Sequence, residues 1–155
     1  MDKIRKILVI CTGNACRSPM AEGFLKKYFR QENGFEVTSA GISTTGGMPP
    51  TPDAVQVMIE QDIDISGYLS TAFDEALVRA ADLILVMSDM HKDFVRGKVF
   101  GTDKKIFLYK EFAGAIGTDK NIDDPIGQTI TVYRNVRDEI RDLTEAIVER
   151  IMSSR

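Results

Sequence analysis

Cys11 and Arg17 are separated by five residues, and Ser18 follows directly, in the segment Cys11-Thr12-Gly13-Asn14-Ala15-Cys16-Arg17-Ser18. This spacing suits one kind of chemistry. A loop of that length can curl its backbone amides around the oxygens of a single phosphate. The cysteine then lies beneath the phosphorus, placed for in-line attack. The arginine closes the ring with two parallel hydrogen bonds to phosphate oxygens. The same amides, with the positive end of a following helix, favour thiolate over thiol. Ser18 can hydrogen-bond that thiolate. Gly13 and Asn14 tolerate the left-handed backbone that such a cradle needs. The bland alternative is a surface loop with two structural cysteines; a place between a strand and a helix start argues against it.

Cleavage of a phosphate ester by a thiolate also needs an acid for the leaving oxygen, and then a base for the attacking water. One carboxyl group can serve both steps. Asp124-Pro125 is the only Asp-Pro in the chain. Proline holds its predecessor extended, which aims Asp124 outward. Asp123 stands beside it as the rival. The plain alternative is that Asp123 to Gly127 is only a turn before the last helix.

Four strands can carry these groups. Lys6 to Ile10 holds the unbroken apolar run Ile7-Leu8-Val9-Ile10, as a strand buried on both faces requires. Leu83 to Met87 is a second such run, and Phe35 to Ser39 and Ile106 to Tyr109 are shorter strands. Ser18-Pro19 reads as a helix start, with Ser18 at the N-cap and Pro19 in the first helical position. That helix is expected to run to about Glu32 and stop at Asn33-Gly34. Further helices are expected over Asp53–Gln61, Phe73–Ala80 and Asp89–Val95. Thr129 to Met152 is amphipathic, with Val132, Val136, Ile140, Leu143, Ile147 and Ile151 as its buried stripe. Glu111 to Gln128 remains a long loop, a common place for function. Strands alternating with helices predict an α/β fold: a four-stranded parallel sheet flanked by helices on both faces, with the phosphate-binding loop after strand 1.

Composition narrows the rest. With 155 residues, the chain is expected to form one domain over 1–155. Hydrophobic residues make up 43% and charged residues 28%, which excludes disordered, collagenous and coiled-coil classes. A net charge of −3 gives no basic excess for general nucleic-acid or membrane-surface binding, so neither is an expected partner. Two cysteines cannot build a disulfide scaffold. No apolar run reaches the length of a signal-peptide core or a membrane span. The expectation is a soluble, cytoplasmic protein. His91, the only histidine, is expected on a helix surface, with no metal site implied. Alternating charges on the last helix, among them Arg137, Asp138, Glu139 and Arg141, read as a solvated face. The seven methionines read as core filler, Met48 excepted.

The sequence resembles the low molecular weight protein-tyrosine-phosphatase family. The resemblance lies in ICTGNACRSPMAE (Ile10 to Glu22), TSAG (Thr38 to Gly41), ADLILVMS (Ala81 to Ser88) and DDPIG (Asp123 to Gly127), in the family's order and over the whole chain. It implies Cys11 as nucleophile, Arg17 as phosphate clamp and Asp124 as acid and base. It implies that Asn14, Ser18 and Ser39 hold the loop in shape. Thr12, Gly13 and Ala15 complete the loop. Cys16 matches a second loop cysteine that, in this family, can form a reversible disulfide with the nucleophile. The implied reaction is hydrolysis of phosphoprotein through a phosphocysteine, releasing inorganic phosphate, with no metal or other cofactor.

Departures from the pattern bear on substrate. Family members acting on phosphotyrosine usually carry aromatic residues at the pocket mouth. Here Ile126 follows Asp-Pro, and Gly46-Gly47-Met48-Pro49-Pro50 holds no aromatic. A related branch that dephosphorylates arginine carries Thr where this chain has Ala15, and the tyrosine branch usually has a larger aliphatic residue. A protein arginine phosphatase is therefore the alternative within the family, and DPIGQTITVYRNVRDEI looks closer to the bacterial branch that includes it. Arsenate-reducing members need further cysteines, which this chain lacks. Two more distant rivals are a phosphocysteine carrier, which would need neither Arg17 nor Asp124, and a silent phosphate-binding module, which would lack nucleophile or acid.

Overall fold

The run Lys6–Cys11 forms β1, and its alternation decides what each face of the sheet buries. Ile7, Val9 and Cys11 join one hydrophobic cluster, while Leu8 and Ile10 join another on the opposite side. The computed structural model describes residues 3–30 and 34–154. With β2 (Glu36–Gly41), β3 (Leu83–Val86) and β4 (Ile106–Leu108), β1 forms one sheet in the order β2-β1-β3-β4, all pairings parallel. The helices are α1 (Arg17–Phe29), α2 (Pro52–Ile59), α3 (Glu75–Ala80), α4 (Asp89–Lys98), α5 (Tyr109–Phe112) and α6 (Ile130–Ser153).

The larger cluster packs Met20, Phe24 and Leu25 of α1 and Ile140 and Ile147 of α6 against Ile7 and Val9. The smaller one packs Val78 of α3 and Val95 of α4 against Leu8 and Ile10. Burial of each such side chain stabilises the fold by roughly 1.5–3 kcal/mol. The doubly covered four-stranded parallel sheet is the expected architecture. It leaves β1 central, so the loop after Cys11 emerges from its most constrained strand.

Several local readings are corrected. Helix α1 starts at Arg17, with Cys16 at its N-cap and no side-chain cap, so Ser18 is not the cap and Pro19 is the third helical residue. The last turn closes at Arg30, whose amide bonds the carbonyls of Lys26 and Lys27; the expected stop at Asn33 lies outside the described residues. The buried stripe of α6 is Tyr133, Val136, Arg137, Ile140, Thr144, Ile147 and Ile151, with Val132 and Leu143 only half-buried. Arg137 is not solvated: its guanidinium bonds Glu60 at 2.7 Å and the Val57 carbonyl at 3.0 Å. Tyr109 to Phe112 forms a short helix at the start of the expected long loop. Met90, like Met48, is exposed rather than core filler.

Candidate active site

The Cys loop turns its two kinds of backbone group in different directions. Its carbonyls are tied back to the fold: Cys11 O accepts from Ile42 N–H at 3.1 Å, Thr12 O from Ser43 N–H at 2.8 Å, and Ala15 O from Thr51 N–H at 3.1 Å. The N–H groups of Gly13, Asn14, Ala15 and Cys16 have no acceptor among the described residues. Unspent amides gathered at a helix start attract an anion.

Asn14 has φ 54, the left-handed conformation expected of it. Gly13 does not adopt it, and a Cβ there would meet only the Ala15 Cβ at 3.8 Å. Glycine is instead demanded at Gly41, which pairs with Cys11 across the sheet. A Cβ at Gly41 would stand 2.8 Å from Asn14 N and 2.8 Å from Thr12 O, so any side chain would displace the loop.

A chain of polar side chains fixes this curvature. Cys11 Sγ lies 2.9 Å from Ser18 Oγ. Asn14 Nδ2 donates to Ser18 Oγ at 2.7 Å and to Ser39 Oγ at 2.9 Å, and Asn14 Oδ1 accepts from Thr71 N–H at 2.9 Å. Ser39 donates onward to the Glu22 carboxylate. Because Ser18 Oγ already accepts from Asn14, its own hydrogen is available to the sulfur. The Ser18 hydroxyl is thus directed to the thiol and not to the helix amides.

Arg17 is buried, and each of its two amino groups has a partner. Nη1 donates to the Ile122 carbonyl at 2.9 Å; Nη2 donates to Thr12 Oγ1 at 3.2 Å and meets Asp124 Oδ2 at 3.4 Å. The other oxygen of Asp124 accepts from Ile126 N–H at 3.1 Å. Asp123 is exposed and makes no ion pair with Arg17. The structure thus brings Asp124, and not its neighbour, to the Cys loop. Exposed Met48 and Ile126 stand on the two segments bordering it, on the loop joined to Ala15 and beside Asp124.

Cys16 belongs to a different set of contacts. Its Sγ lies 3.4 Å from both Thr51 Oγ1 and Tyr133 Oη, and both cysteines are free. Burial pushes the Cys16 thiol up, against hydrogen bonds from Thr51 and Tyr133. Burial, reinforced by Cys16, pushes Tyr133 up to about 12.

His91 departs from its expected place on a helix surface. It is fully buried, not on the surface, and bridges Ser88 Oγ at 2.9 Å and Thr12 Oγ1 at 2.8 Å. Burial lowers its pKa from 6.5 to about 4, with Arg17 adding to the shift and Asp124 opposing it. A folded-state value below the unfolded one means that the unfolded chain takes up the proton first as pH falls. The stability tied to neutral His91 is therefore complete above pH 6.5 and is lost as pH falls through about 4. The slope is at most about 1.4 kcal/mol per pH unit. Ordinary carboxylates titrate mostly below pH 5, which leaves the upper part of that window to the single histidine. Urea unfolding at pH 7 and pH 5.2 should show a clear loss in the wild type and a much smaller one in His91→Gln. Equal losses would mean that His91 is not held neutral.

A parallel α/β sheet whose first strand delivers a cysteine into a ring of unspent amides, with an arginine and a carboxylate joined beside it, defines a cysteine-based phosphate-handling domain. The family model described as "Low molecular weight phosphotyrosine protein phosphatase" matches residues 6–155. The chain belongs to this family of cysteine-based phosphatases. It is 33% identical over 150 residues to a protein-arginine-phosphatase of Bacillus subtilis, covering 96% of this chain and 98% of the relative. It is 35% identical over 148 residues to a probable low molecular weight protein-tyrosine-phosphatase EpsP of Ralstonia nicotianae, covering 96% and 97%. The solved YwlE arginine phosphatase from Geobacillus stearothermophilus superposes with a TM-score of 0.89 at 35% identity, covering 97% of this chain and 94% of that one.

Proposed function

We propose that this chain is a low molecular weight protein-tyrosine phosphatase that hydrolyses phosphorylated protein side chains through a phosphocysteine. The observation that carries the reading is the convergence of Cys11, Arg17 and Asp124 on one loop of unspent amides. Cys11 Sγ attacks phosphorus in line, and the S–P bond forms as the bond to the leaving group breaks. The amides and Arg17 hold the oxygens whose charge grows in the transition state. Asp124 gives its proton to the departing atom. It then takes one from the water that cleaves the S–P bond, releasing inorganic phosphate. Ser18, donating to sulfur, stabilises the thiolate before attack and after release.

This reading uses no metal. Among the described residues no group of three or more His, Cys, Asp or Glu side chains is placed to hold one. No described helix is long and apolar enough to cross a membrane. A cytoplasmic location fits two free cysteines and substrates that are phosphorylated inside cells.

A second reading, a protein arginine phosphatase, is favoured by the border of the site. Exposed Met48 and Ile126 are aliphatic, where stacking on a phosphotyrosine ring would call for aromatic residues. The same machinery serves a P–N bond, with Asp124 protonating nitrogen instead of oxygen. The two readings separate on phosphotyrosine and phosphoarginine peptides of one sequence, assayed side by side with and without chelator. The tyrosine reading expects the higher kcat/KM on phosphotyrosine, unchanged by chelator. A reversed preference identifies the arginine phosphatase, and loss of both activities with chelator overturns the cysteine mechanism.

A further inference from the structure

We propose that His91 is a positioning residue of this site: through the Thr12 hydroxyl it sets the Arg17 guanidinium that binds phosphate. The proposal rests on the phosphatase reading above.

His91 lies in the first turn of α4, on the opposite side of the sheet from α1, and is fully buried. A buried imidazole needs partners for both nitrogens. One bond is local, to Ser88 three residues earlier. The other crosses 79 positions of sequence to the Cys loop. An interior that required only bulk would take an apolar side chain here, without a polar bridge into the catalytic loop.

The direction of the bonds follows from what each group can donate. A guanidinium has no acceptor, so Thr12 Oγ1 must accept from Arg17 Nη2. The Thr12 hydrogen is then free to point to His91 Nε2, which accepts. Nδ1 carries the ring proton and donates to Ser88 Oγ. This fixes the Thr12 rotamer with its oxygen turned to Arg17. Without the imidazole acceptor, the hydroxyl has no reason to keep that orientation.

The other end of the guanidinium depends on the same junction. Arg17 Nη1 donates to the Ile122 carbonyl, and Ile122 N–H donates to the carbonyl of Met87, the residue after β3. Asp89 N–H, in the first turn of α4, donates to Asn121 Oδ1 at 2.9 Å. The β3–α4 junction thus positions Arg17 from both sides, through His91 and Thr12 on one and through the 121–124 segment on the other. A clamp fixed before phosphate arrives loses less freedom on binding.

The test compares His91→Gln, His91→Asn, Thr12→Val and the His91→Asn/Thr12→Val double variant. Glutamine can place an acceptor near Nε2 and keep the Thr12 bond; asparagine reaches only toward Ser88. Each variant is assayed for kcat and KM on an aryl phosphate. Inorganic phosphate affinity is measured by calorimetry in the Cys11→Ser background, and thermal melting confirms the fold. His91→Asn should lose about 10–100-fold in kcat/KM, with weaker phosphate binding, as expected when a catalytic group is misplaced. His91→Gln should recover most of that loss. The double variant should be no worse than the poorer single one, because both substitutions break the same link.

Phosphate affinity and kcat/KM at wild-type levels in folded His91→Asn or in Thr12→Val would overturn the proposal. So would losses that multiply in the double variant. If the wild type fails to turn over any aryl phosphate, the phosphatase reading falls, while the calorimetric arm still decides whether His91 sets the phosphate clamp.

Discussion

Cys11→Ser is expected to lower turnover by more than about 10³-fold while leaving phosphate binding intact. A serine hydroxyl is almost wholly protonated near neutral pH, and no base stands beside it to remove its proton. The nearest partner of the Cys11 sulfur is the Ser18 hydroxyl, which stabilises an anion but does not generate one. In the proposed mechanism the binding groups are separate from the nucleophile: they are the amides after Cys11 and the Arg17 guanidinium. Cys11 is the last residue of β1, buried and packed with Ile7 and Val9, so an isosteric replacement leaves the loop where it is. Calorimetry should give a phosphate affinity close to that of the wild type, with hydrolysis of an aryl phosphate at background. Hydrolysis near the wild-type rate would remove Cys11 from the mechanism. Loss of binding together with activity would show that the sulfur shapes the cradle itself.

What the sequence reveals of this site depends on how local the determining contacts are. Ile7-Leu8-Val9-Ile10 declares a doubly buried strand because both faces of β1 are apolar, and C-x5-R falls at its end. Asp124 is legible through its proline, but what favours it over Asp123 is a contact with Arg17, 107 positions away. The same distance effect hides His91, whose partner Thr12 lies 79 positions off. A lone histidine among charged residues gives no local sign of burial. Gly41 stands in a recognisable TSAG segment, yet its need for glycine appears only when the Cys loop packs on it. Ser18-Pro19 misleads for the opposite reason. The local pattern is a good helix start, but a tertiary bond to Cys11 takes the serine and the helix begins earlier. On α6, Tyr133 and Thr144 replace Val132 and Leu143 because each hydroxyl finds a partner, Tyr133 at half-buried Thr51 and Thr144 at buried Tyr109.

Asp124→Asn should slow hydrolysis of a substrate with a poor leaving group by about 10²–10⁴-fold. The change removes the proton supply but keeps an oxygen able to accept from Ile126 N–H, so the loop is retained. The loss must depend on the leaving group. An alkyl or tyrosyl oxygen needs the proton as its bond to phosphorus breaks; a nitrophenolate departs readily without one. The wild-type rate should therefore vary little with leaving-group acidity, and the variant rate should rise steeply with it. With the most acidic phenol the first step is nearly restored, and the second becomes limiting, because the water that attacks the phosphocysteine has lost its base. Rapid mixing should then show a burst of phenol equal to the enzyme present, followed by slow turnover. Asp123→Asn, altering an exposed neighbour with no ion pair to Arg17, should behave as wild type throughout. A steep leaving-group dependence in Asp123→Asn, or its absence in Asp124→Asn, would transfer the acid role away from Asp124. The ion pair with Arg17 would then serve only to hold the guanidinium.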